Sequence, residues 1–127
     1  MKIAFFPGKF QPVHLGHIIS IMEIYEDYDK IIIGITEDNP KILSFEERRD
    51  IFQVVFKYLD KFEYFYFDGI LSEINNSILL PKYDICVSGN IVVIKKMNEL
   101  GFSTRYLERS KGLYYSGTEL RSIHEKG

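Results

Sequence analysis

The sequence predicts a three-layer α/β domain built on a five-stranded parallel sheet. Short β-branched or aromatic runs, too brief for helices, recur along the chain. Helical stretches separate them, and glycine, proline, asparagine and aspartate mark the junctions. A strand, a helix and a second strand in succession imply parallel pairing with right-handed crossovers, hence helices on both faces of the sheet.

Taken in order, Ile3 to Phe6 is an apolar run ended by Pro7 and Gly8, the pattern of a strand buried on both faces. From Leu15 to Tyr28, Ile18, Met22 and Tyr25 recur at helical spacing with Ile21 beside them. Ile31 to Ile35 is β-branched and reads as the second strand. Ser44 followed by Glu47 has the spacing of a capping box, opening a helix with an apolar stripe of Ile51, Phe52, Val55, Phe56 and Leu59. Phe62 to Phe67 is the third strand, and Asp68-Gly69 a turn.

Ile70 to Leu80 reads as a helix despite the weak helix formers Asn75 and Asn76. Tyr83 to Val87 is the fourth strand. Asn90 to Leu100 begins like a strand but is assigned helix, because Gly101 is well placed as its stop. Phe102 to Leu107 makes the fifth strand, and Ser116 to Lys126 a closing helix with Leu120 and Ile123 inward.

Length suits one domain over residues 1–127, with no repeat, low-complexity tract or linker. The net charge of -2 gives no bulk reason to expect a nucleic acid or an anionic membrane as partner. Cys86, the single cysteine, excludes an intrachain disulfide framework and reads as a buried structural thiol in a reducing compartment. No apolar run nears the roughly 20 residues of a membrane span, so a cytoplasmic protein is expected. Tyr64, Tyr66, Tyr83 and Tyr114 are candidates for burial between subunits of a homo-oligomer.

The most informative stretch follows the first strand: Phe6-Pro7-Gly8-Lys9-Phe10-Gln11-Pro12-Val13-His14-Leu15-Gly16-His17. In open parallel sheets, ligands bind beyond the carboxyl ends of strands, where helix N-termini present backbone N–H groups. Gly8 would let the chain turn and a phosphate approach, with Lys9 supplying charge. His14 and His17 fall on one side of a helix's first turn, where both imidazoles can face a polyphosphate. Read alone, the pair is equally open to a metal, a structural or a solvent-exposed role. The only other histidine, His124, is distant in sequence and gives no evident third metal ligand.

This run resembles the HxGH signature of the nucleotidylyltransferase superfamily, which includes nicotinamide mononucleotide, phosphopantetheine and glycerol-3-phosphate nucleotidylyltransferases. A second element, Ser116-Gly117-Thr118-Glu119-Leu120-Arg121, is similar to the Ser-Gly-Thr-Glu-Ile-Arg element of archaeal-type nicotinamide mononucleotide adenylyltransferases. Ser116 and Thr118 offer donors at a helix start and Arg121 a guanidinium one turn on; without the first motif this would be an ordinary cap with a surface arginine.

The resemblance implies a Rossmann-like fold and transfer of a nucleoside monophosphate from an NTP to a small phosphorylated acceptor, with Mg²⁺ held mainly by phosphates. It implies catalytic roles for His14, His17, Lys9 and Arg121. Phe6, Gly8, Ser88, Gly89, Asn90, Arg109, Ser116, Gly117 and Thr118 would join these in binding the nucleotide. Lys41 and Arg48 would meet the acceptor, although Arg48 and Arg49 are equally compatible with a solvated helix face. The motif order is closer to the adenylyltransferases, so ATP is preferred to CTP. A cytidylyltransferase acting on a sugar or polyol phosphate is the alternative, and a non-catalytic nucleotide-binding regulator the alternative of another class.

Overall fold

The computed structural model describes residues 1–37, 42–69, 71 and 80–108. They form a parallel sheet of five strands: β1 (Ile3–Gly8), β2 (Lys30–Glu37), β3 (Phe62–Asp68), β4 (Ile85–Ser88) and β5 (Ser103–Tyr106). The strand order is β3-β2-β1-β4-β5, so β1 lies at the centre and the chain reverses direction across the sheet between β1 and β4. Helices α1 (Leu15–Ile24), α2 (Phe45–Val55) and α3 (Ile91–Glu99) follow β1, β2 and β4.

The two-residue alternation of the strands divides the core between the two faces. Ala4 and Phe6 of β1 and Ile31, Ile33 and Ile35 of β2 point to one side, where Ile21, Ile24 and Tyr25 after α1 and Phe52 and Phe56 of the α2 region cover them. Phe5 and Ile32 point to the other, against Cys86, Tyr83 and Met97 of α3. A doubly covered sheet explains why β1 and β2 read as continuous apolar runs instead of alternating ones.

Several expectations shift in detail. The first helix ends at Ile24 and tightens into a 3₁₀ turn over Tyr25–Asp27, as helix ends commonly do. Its buried line is Ile21, Ile24 and Tyr25, whereas Met22 faces solvent. In α2 the expected stripe narrows to Phe52 and, past the helix end, Phe56; Val55 is about half exposed, and Arg48 occupies an interior position. Helix α3 is confirmed. The Asn90 side chain accepts from Val92 N–H, and Gly101 sits at φ +92, a conformation that side chains resist, so local signals at both ends overrule the β-branched run.

Tyr83 is not available to an interface: it stacks between Phe5 and Phe102 in the core, and its hydroxyl meets Met97 Sδ at 3.4 Å. Cys86 is fully buried, and desolvation pushes its thiol up to about 12. Of the predicted elements, the helix over 116–126 and nearly all of that over 70–80 lie outside the described residues. Among the described residues no helix is long and apolar enough to cross a membrane.

Candidate active site

The loop from Lys9 to His14 emerges at the carboxyl end of β1, the central strand, beside β2 on one side and β4 on the other. Its turn is made at Phe10, at φ 51, and not at Gly8, which stays within the strand. Gly8 is required for a different reason: a Cβ there would lie 2.6 Å from Phe10 Cζ. The missing side chain makes room for the Phe10 ring. That ring is buried edge-on against His17 (4.7 Å between centroids) and against Phe52 (4.9 Å). The space a Cβ would fill at Gly8 is thus taken by the Phe10 ring, which packs edge-on against His17.

His14 and His17 lie at the N-cap and third positions of α1 and form a capping box from two imidazoles. Gly16 N–H donates to His14 Nδ1 at 3.1 Å, and His14 N–H donates to His17 Nδ1 at 3.1 Å. The rings stack at 3.6 Å between centroids, 24° from coplanar. An Nδ1 that accepts a backbone hydrogen bond carries no proton, so in the neutral ring the proton belongs to Nε2. Two Nε2–H donors are thus set side by side at a helix N-terminus, where the backbone dipole favours an anion.

Arg48 differs from expectation. Its side chain is 0% exposed, so it is neither a solvated surface group nor open to an acceptor. Nε donates to Ser44 O, one terminal nitrogen to Lys9 O and Thr36 O, and the other pairs with Glu37 Oε2 at 2.9 Å. A planar guanidinium with several fixed donors suits this work, and it ties the histidine loop, the end of β2 and the start of α2 into one unit.

At the other side of β1, Ser88 is buried at the end of β4 and its Oγ accepts from Asn90 N–H, while its carbonyl accepts from Leu107 N–H. Gly89 and Asn90 follow it at the start of α3. Phe6 of β1 is buried, and its ring lies roughly parallel to that of Phe10 at 6.4 Å between centroids. Lys41, Arg109, Ser116, Gly117, Thr118 and Arg121 lie outside the described residues.

An open groove of about 330 Å³ runs beyond the ends of β2 and β3, lined by Glu37, Ile42, Leu43, Ser44, Tyr66 and Asp68. Partial desolvation, then the Asp68 and Glu37 carboxylates, raise the Tyr66 phenol above its ordinary value, so it stays a protonated donor within reach of Glu37. Sequence reasoning passed over this groove, and over Phe10 and Gln11. The facing pair Glu37 and Asp68, each ending a strand, was the readable signal. Among the described residues no three His, Cys, Asp or Glu side chains converge as a metal cage.

Comparison with known proteins places these features in context. The profile of cytidylyltransferase-like proteins matches residues 5–123. The chain is 33% identical over 129 aligned residues to a nicotinamide-nucleotide adenylyltransferase of Methanococcus aeolicus, covering 90% of this chain and 72% of the relative. It is 31% identical over 135 to the protein of the same name in Sulfurisphaera tokodaii, covering 94% and 77%. A bifunctional NMN adenylyltransferase/ADP ribose pyrophosphatase of Francisella tularensis, solved with AMP and a manganese ion, superposes with a TM-score of 0.73 at 20% identity, over 99% of this chain and 42% of that one. That likeness shows the fold.

Proposed function

The chain belongs to the cytidylyltransferase-like family of nucleotidyltransferases, and on that premise we propose that it transfers AMP from ATP to nicotinamide mononucleotide with release of pyrophosphate. Nucleotidyl transfer itself follows from the relatives at 33% and 31% identity. The choice of ATP and of the acceptor is our reading, taken from the names those relatives carry.

The observation that carries the mechanism is the reciprocal cap of His14 and His17. An acceptor phosphate is already ionised near neutral pH, so the reaction needs no general base. It needs donors that hold the triphosphate and stabilise charge as an acceptor oxygen attacks the α-phosphorus in line and pyrophosphate leaves. In this reading His17 Nε2–H serves the α-phosphate and His14 Nε2–H the β side, with Lys9 adding charge. Ser116, Gly117, Thr118 and Arg121 form the far half of the clamp, Arg109 covers the triphosphate, and the Ser88-Gly89-Asn90 backbone reads the base. The nucleotide is taken as its Mg²⁺ complex, the ion riding on phosphate oxygens and water. That fits the triphosphate side of the site, where the side chains of His14, His17 and Lys9 are donors to anions.

In this reading the groove beyond β2 and β3 takes the acceptor, with Lys41 serving its phosphate. Glu37, paired with Arg48, and Asp68 line this groove, and their carboxylates would attract a cationic pyridinium ring. That charge favours a nicotinamide acceptor, whose ring is cationic, over a polyol phosphate, whose polyol carries no positive charge.

The test is pyrophosphate release by the purified chain with Mg²⁺ and ATP plus nicotinamide mononucleotide, set against CTP plus glycerol 3-phosphate. Product forming only in the first reaction supports the reading, and product only in the second replaces it. Nucleotide binding without turnover on a broad acceptor panel would point to a regulator.

A further inference from the structure

Gln11 is 1% exposed, three residues ahead of His14. Its side-chain amide pairs with both backbone groups of one distant residue: Nε2 donates to Leu43 O at 2.9 Å, and Leu43 N–H donates to Oε1 at 2.6 Å. A paired donor and acceptor fix the orientation of two segments as well as their distance, which a single bond does not. Leu43 precedes Ser44, the N-cap of α2, and lines the groove beyond β2. On the other side of Phe10, Lys9 O is held by Arg48 of the same helix. The loop carrying the histidines is thus anchored to the β2-to-α2 connection at two points flanking Phe10.

We propose that Gln11 is a positioning residue for nucleotidyl transfer: its two-way pairing with Leu43 holds the His14 and His17 imidazoles in register with the groove. It acts through the loop and touches neither substrate in this role. The identity of the substrates rests on the reading above, whereas the mechanical claim does not. A shift of about 1 Å in reacting groups costs on the order of 100-fold in rate, so a hinge of this kind acts on turnover before affinity.

Gln11→Met keeps the length and removes both hydrogen bonds. By ¹⁵N-resolved amide exchange, the N–H groups of His14 and Gly16 are expected to exchange at least about 10-fold faster, while Ile33 and Ile35 in β2 stay within about 3-fold. In steady state kcat falls at least about 10-fold, with ATP affinity by direct titration within about 3-fold. Unchanged exchange at His14 and Gly16 overturns the proposal. So does equal acceleration throughout the sheet, or loss of ATP binding in step with kcat, since either marks Gln11 as general support for the fold. If the wild-type chain makes no pyrophosphate from ATP and nicotinamide mononucleotide, the proposed function fails while the exchange measurement still decides the role of Gln11. Should Gln11→Met not fold, Gln11→Glu, which keeps the acceptor for Leu43 N–H and lacks the donor, is expected to show the same pattern.

Discussion

His14 and His17 each spend Nδ1 on a backbone N–H at the start of α1, so the same contacts that begin the helix also decide which ring nitrogen bears the proton. Structure and chemistry are joined at these two residues, and a substitution can be chosen to separate them.

His14→Asn is that substitution. Asparagine is a good N-cap and its Oδ1 can take the place of Nδ1, but nothing replaces the Nε2–H. Turnover is expected to fall at least about 100-fold, as on loss of an oxyanion-type donor, with Tm close to wild type. His14→Ala loses the same activity and also the cap, at a further cost of about 1 kcal/mol. Thermal melts beside pyrophosphate release decide it; an active His14→Asn enzyme would exclude the donor role.

Gly8→Ala tests the aromatic wedge. The new Cβ would sit 2.6 Å from Phe10 Cζ, and Phe10 cannot retreat without leaving its contacts with His17 and Phe52. Overpacking of this kind costs about 1–3 kcal/mol. Because the displaced ring abuts His17, kcat should fall along with stability. Gly8→Ala combined with Phe10→Leu relieves the crowding and should regain stability without regaining activity. Recovery of both would show that His17 does not depend on the ring.

The contrast between Ser44 and Arg48 explains how much could be read in advance. Strand and helix order, the Ser44 cap and the Gly101 stop were legible, because each depends on neighbours within a few residues; the Asn90 cap is equally local but was not singled out. The histidine pair was legible as a pair because its spacing is local, although its use of Nδ1 as a cap was not foreseen. Gln11 and Arg48 answer to distant partners. Arg48 reaches Lys9 O across 39 residues and Thr36 O across 12, and Gln11 reaches Leu43 across 32. Those partners are backbone carbonyls or N–H groups, which every residue has, so no sequence signature marks them. A charged residue on a helix was read as a surface or ligand-facing group because burial without a visible partner is costly.

Arg48→Met follows from that correction. The variant leaves Glu37 largely buried with its guanidinium partner gone, and frees the carbonyls of Lys9, Thr36 and Ser44. Breaking a buried pair by removing one member costs about 3–5 kcal/mol. For a chain of this size that is a fall in Tm of at least about 10 °C. Arg48→Lys should recover little of it, since one ammonium cannot span four acceptors. A variant of wild-type stability with only a raised KM for the acceptor would restore the direct contact that burial excludes.

Alkaline pH provides a check on the core. The Cys86 thiol ionises near 9.0 when free and is pushed up to about 12 by burial, so between those values the folded chain keeps a proton that the unfolded chain has lost. Its contribution is therefore complete below pH 9 and is lost as pH rises toward 12. The slope from one such group approaches about 1.4 kcal/mol per pH unit. Cys86→Ala should be somewhat less stable at pH 8 because of the cavity, yet lose less stability than wild type on going to pH 11. Tyr64, raised to about 12, and Tyr83, raised likewise by burial, keep part of the slope in the variant. Urea unfolding of both proteins from pH 8 to 11 measures the difference; parallel stability curves would mean that the thiol is not held protonated by the fold. The same burial predicts that iodoacetamide labels Cys86 only after unfolding, so native labelling at the rate of the denatured chain would argue against it as well.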